Sequence, residues 1–170
     1  MSLPQFQYLA ALIAAHPEGK VVGRTRLQKT VRLLQRVGFP TQYAYTTYFY
    51  GPFSEGLQSE VDLLDSIGMV KEEEREKPDG TPYYIMRAAD RTSLPDIGLF
   101  QPTIDRLART DAVVLELAAT YDAFRELGCD HDEALRRLRR KKGAKCDGGN
   151  EEAALGLLEE LDLAVGTSTG

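Results

Sequence analysis

The side chains in this sequence with the most chemical potential are cationic and aromatic. "RRLRRKKGAK" at 136–145 holds seven basic residues and no acidic one. On a helix, Leu135 and Leu138 turn inward, and Arg136, Arg137, Arg139, Arg140, Lys141 and Lys142 project outward. There they can neutralise phosphate or an acidic partner. A second basic stretch, 20–36, holds six basic residues and no acidic one. At 100° per residue, Lys29, Arg32 and Arg36 share one helix face opposite Leu27, Val31 and Leu34, with Arg26 at the edge. The simpler role for both stretches is a solvated face paired with the acidic blocks at 55–76 and 147–162.

"QYAYTTYFYGPFSEGL" at 42–57 places Tyr43, Tyr45, Tyr48 and Tyr50 within eight residues. Tyrosines are favoured where one end is buried and the other wet. Tyr48, Tyr50 and Phe53, beside the Gly51-Pro52 break, are therefore the candidate contacts for a partner protein. The alternative is structural: Tyr43, Tyr45 and Phe49 pack under helices while Tyr48 and Tyr50 fix the turn.

Other motifs fall short of known chemistry. "GKVVGRT" at 19–25 has three residues between its glycines, and Arg24 stands where a phosphate-binding loop needs lysine. Cys129, His131 and Cys146 lack the paired spacing of a zinc site, so no metal and no cofactor is expected. His16 and His131 are the only histidines, and neither lies in a nucleophile–base motif. The chain is expected to be no enzyme.

The elements that position these residues follow from periodicity and turn chemistry. A first helix is expected over 4–15, with Phe6, Leu9, Ala10 and Ile13 inward. Residues 20–22 form a short extended piece. Thr25 and Gln28 read as a capping box for the second helix, which Gly38 ends. A strand is expected over 43–50. Ser54 caps a third helix with Leu57, Val61, Leu64 and Ile67 as its core stripe, and Gly68 closes it. "MVKEEEREKPDGTPYYIMR" at 69–87 is a hairpin turning at Pro78-Asp79-Gly80. Helices follow at 111–127 and 132–142, and Asn150 caps a last one. The expected class is α+β, mainly helical. It comprises a winged-helix-like part over 3–87 with a Tyr-rich strand insertion, a connector over 88–102, a helical subdomain over 103–163, and a frayed tail over 164–170.

With 170 residues, 42% hydrophobic and 28% charged, the chain can bury a core without staples. No apolar run reaches the ~20 residues of a membrane span. Two cysteines and no basic leader fit a reduced, cytoplasmic protein. Net charge is −5, and the third helix would expose Glu55, Gln58, Ser59, Asp62 and Asp65, whose three carboxylates repel phosphate. The expected partner is therefore another protein. Nucleic acid held by the basic residues above is the alternative, and the opposed charge blocks are compatible with a homodimer.

Three stretches carry a resemblance: Gly23-Arg24-Thr25-Arg26-Leu27-Gln28-Lys29, Tyr48-Phe49-Tyr50-Gly51-Pro52-Phe53-Ser54, and Leu115-Glu116-Leu117-Ala118-Ala119-Thr120. Together they resemble the YwgA-like family of bacterial and archaeal proteins. The second stretch, following a Leu-Gln-Lys helix, is distantly similar to the Panacea domain of SocA-like antitoxins. Val31-Arg32 departs from the apolar or aromatic pair usual in that family. The resemblance implies a small cytosolic interaction or regulatory protein, antitoxin-like or adaptor-like, and supplies no catalytic residue.

Overall fold

A computed structural model describes residues 3–48, 51–89, 93–163 and 165, with the side chains of Thr47 and Tyr48 outside that description. The order is α1 (Gln5–Ala15), β1 (Lys20–Val22), α2 (Arg24–Arg36), β2 (Thr46–Tyr48), β3 (Gly51–Phe53), α3 (Glu55–Ser66), β4 (Val70–Glu76), β5 (Pro82–Ala88), α4 (Gln101–Ala108), α5 (Ala112–Glu126), α6 (His131–Lys142) and α7 (Asn150–Glu160). The protein is α+β, mainly helical. Its larger sheet is antiparallel, in the order β1-β5-β4.

The hairpin forms as its turn chemistry predicts, with Val70 opposite Ala88 and Glu76 opposite Pro82. The short 20–22 piece joins its far side, Val21 opposite Met86. Those two side chains are buried, as alternation requires of a sheet with one covered face.

Three local expectations are corrected. Thr25 and Gln28 do not form a capping box: Gly23 is the N-cap of α2 and no side chain caps it. Of the expected 43–50 strand, the described residues form strand only at Thr46–Tyr48, paired with Gly51–Phe53. Upstream, the Gln35 amide bonds both the Tyr43 N–H and the Tyr43 carbonyl. It satisfies the backbone groups that a neighbouring strand would otherwise take. Ile67 is not core but 53% exposed. Helix α3 ends at Ser66, and Gly68 at φ 80° turns the chain away, so that the Met69 N–H reaches the Leu64 carbonyl.

Ser54 does cap α3, accepting from the Leu57 N–H. Asp111 and Asp130 likewise cap α5 and α6. The last helix starts after Gly149, and Asn150 instead donates to the Lys145 carbonyl. Helix α5 is buried from Val114 to Phe124. It packs against α2, α6, α7 and β3, so one contiguous core runs from α1 to α7.

Candidate functional site

The three stretches that carry the family resemblance lie far apart in the chain and meet at the Gly51-Pro52 turn. Helix α2 contributes Gln28 and Lys29, both buried. The Gln28 amide donates to the Ser54 carbonyl and accepts from the Ser54 N–H, each at 2.9 Å. This pair fixes the start of α3 against α2. One residue on, the Lys29 ammonium donates to the Pro52 carbonyl.

Helix α5 approaches from the other side. Gly51 has φ 92°, a conformation open to glycine. A Cβ there would stand 2.5 Å from Thr120 Oγ1 and 3.7 Å from both the Lys29 and Lys142 ammoniums. Two lysines from α2 and α6 thus converge on this turn. Glu116 is the carboxylate that the described residues bring to them: its Oε2 lies 3.5 Å from Lys142 Nζ and 2.9 Å from Lys145 Nζ. Burial pushes the Lys29 ammonium down to about 8, and the neighbouring Lys142 charge adds to the effect while Glu116 opposes it. Burial lowers Lys142 as well.

A charge ladder adjoins this turn. Arg32 and Arg36 on α2 face Asp122 and Glu126 on α5. Arg36 Nε donates to Asp122 at 2.8 Å, and Arg32 pairs with Asp122 at 3.4 Å and more closely with Glu126. Asp122 and Arg32 are buried. Tyr45 lies half-buried under this ladder, its ring centroid 5.6 Å from the Arg32 guanidinium.

The solvent-facing stripe expected on the second helix is therefore not built. Lys29 and Arg32 are buried, Arg36 is paired, and Arg26 donates to the Leu107 and Thr110 carbonyls at the end of α4. Lys142 is buried too. Arg136 and Arg137 are exposed but pair with Glu133, and Arg139 pairs with Glu151. Arg140 is exposed, Lys141 is half-buried, and neither has an ion-pair partner among the described residues. Of the tyrosine candidates, Tyr50 and the side chain of Tyr48 lie outside the described residues, as do Phe49 and the expected tail apart from Val165. Phe53 is half-buried. Tyr43 is buried and donates to Glu60.

Glu116, Asp122 and Glu126 were not singled out by motif reasoning, yet one signal was present. Arg32 and Arg36 are spaced by four, as are Asp122 and Glu126, so each pair occupies one side of its helix. Among the described residues, no three His, Cys, Asp or Glu side chains form a metal-binding group. His131 instead bonds the Tyr121 hydroxyl at 2.7 Å.

The fold and this site define an α+β protein in which charged side chains from α2, α5 and α6 close around a Gly-Pro turn. No family model matches the chain. Its sequence is similar to YwgA of Bacillus subtilis (strain 168), described as an uncharacterized protein. The two are 28% identical over 148 residues, covering 84% of this chain and 89% of that protein. This similarity supports the YwgA-like resemblance.

Proposed function

We propose that this chain is a non-enzymatic, cytoplasmic protein-interaction module, antitoxin-like or adaptor-like, that docks a basic amphipathic segment of a partner protein on the outer face of α3. The observation that carries the reading is the surface of that helix. Leu63 and Ile67, four residues apart, are 44% and 53% exposed. Around them Glu55, Asp62 and Asp65 are exposed, and β4 continues the acidic surface with Glu74 and Glu76. An exposed apolar pair framed by one sign of charge matches a partner helix with apolar anchors and flanking Lys or Arg. Helix, strand, helix, helix and hairpin, with an antiparallel β1-β5-β4 sheet, support a winged-helix-like reading of residues 3–87. In such a frame α3 is the helix that would enter a DNA groove, and its carboxylates repel phosphate. No helix among the described residues is long and apolar enough to cross a membrane.

The test is recovery of cross-linked partners from the source cells by the wild-type protein and by the Leu63→Ser/Ile67→Ser double variant. A partner bearing a basic amphipathic segment should bind the wild type and be lost from the variant, whose fold is checked by its melting transition. Equal recovery by both proteins overturns the docking face. Steeply salt-dependent binding to mixed duplex DNA would instead favour a nucleic-acid reading, for which Arg136, Arg137, Arg139 and Arg140 are the exposed arginines of the basic run.

A further inference from the structure

The geometry points to a second, small-molecule site: a pocket that takes an amphipathic monocarboxylate on Arg32 and Arg36, with the Glu126 carboxylate as its displaceable internal occupant. The pocket has a volume of about 340 Å³ and lies between α2, α5 and the chain around Tyr43, Tyr45 and Pro52. That size and a mixed polar and apolar lining suit a compact ligand.

Three observations carry this assignment. Arg32 lines the pocket, its side chain is only 7% exposed, and its Nε–H has no acceptor among the described residues. A buried guanidinium donor left unpaired is unfavourable, and an incoming oxygen would satisfy it. Next, the two carboxylates on the arginines differ. Asp122 is 2% exposed and fixed by both, whereas Glu126 is 44% exposed and can swing into water without breaking the core. Withdrawal of Glu126 changes the local balance from two cations and two anions to two cations and one anion. The pocket then favours one negative charge. Last, Leu127 lines the same pocket and is 70% exposed, an unburied apolar side chain beside Tyr45, Pro52 and Ala123. It offers the hydrocarbon part of a ligand a surface to cover. The site does not depend on the docking face of α3.

Calorimetric titration with 3-phenylpropionate, and with 3-phenylpropanol as its uncharged counterpart, tests the assignment. The acid should bind and the alcohol should not. Glu126→Ala removes the internal competitor and should tighten acid binding by about tenfold, and Arg36→Gln should weaken it by about as much. Glu126 is 44% exposed, so near-wild-type melting is expected of Glu126→Ala, whereas Arg36→Gln weakens the partner of the buried Asp122 and should melt lower while remaining folded. Equal binding of acid and alcohol, unchanged affinity in Glu126→Ala, or no binding of the acid to either protein overturns the site.

Discussion

Lys29 shows how one side chain changes meaning with its surroundings. Its spacing from Arg32 and Arg36 places it on a cationic face, yet the fold buries it against the Pro52 carbonyl. Because burial lowers its folded value to about 8, the folded chain holds fewer protons than the unfolded chain from there up to the ordinary lysine range. Stability contributed at this residue therefore rises with pH across that window, and the burden is fully present below it. Tyr43 and Tyr45, pushed up by burial, act with the opposite sign at higher pH, so a comparison between two proteins is needed. Urea unfolding at about pH 7.5 and 9.5 should show wild type gaining roughly 1–2 kcal/mol relative to Lys29→Met. Parallel pH profiles for the two proteins would show that Lys29 carries no such burden. The type of residue 29 was legible in the sequence. Its burial was not, because the Pro52 carbonyl that it meets comes from another element.

At the scale of elements, the hairpin, the α3 cap and most of the apolar helix stripes follow from local rules and formed where those rules put them. Two of the failures, the capping box and the long strand, have a common cause. Gln28 and Gln35 look like ordinary helix amides, but each spends its donor and acceptor on a backbone segment outside its own helix. Those bonds decide where α3 begins and why residues 43–45 form no strand. The Gly51 turn is the point where α5 comes closest. Gly51→Ala introduces a strained positive φ and a Cβ 2.5 Å from Thr120 Oγ1. It should destabilise by at least about 1–3 kcal/mol. Thr120→Ala in the same protein should restore part of that loss, since it removes the clash and leaves the strain. Chemical denaturation of the two single variants and the double variant measures the coupling. Simple additivity would mean that the two groups do not meet.

For the whole molecule, the decisive feature is the α2–α5 interface. Asp122 holds Arg36 at 2.8 Å and Arg32 at 3.4 Å while itself nearly inaccessible. Asp122→Ala leaves a buried guanidinium short of a counter-charge and should destabilise by about 3 kcal/mol or more. Since one core runs from α1 to α7, the variant should still unfold in one transition, with tyrosine fluorescence and far-ultraviolet circular dichroism coinciding. Two separated transitions would show that the N-terminal and C-terminal parts are independent units. The expected pairing of opposite charge blocks holds at two places: Arg24 with Glu72, and Arg139 with Glu151. The strongest contacts of the second helix, however, go to carboxylates of α5 outside those blocks.

The sequence by itself determined the α+β class, the order of helices and hairpin, most apolar stripes, and the acidic character of α3. Periodicity, caps and turn residues act within a few positions of where they are written. Only the tertiary structure decided which charges are surface and which are core. Lys29, Arg32 and Lys142 read as solvated cations until Glu116, Asp122 and Glu126 are brought beside them. Helix α2 is separated from those carboxylates by at least 79 residues of chain, and a charge is retained in the interior only where its counter-charge and hydrogen bonds are supplied across that distance.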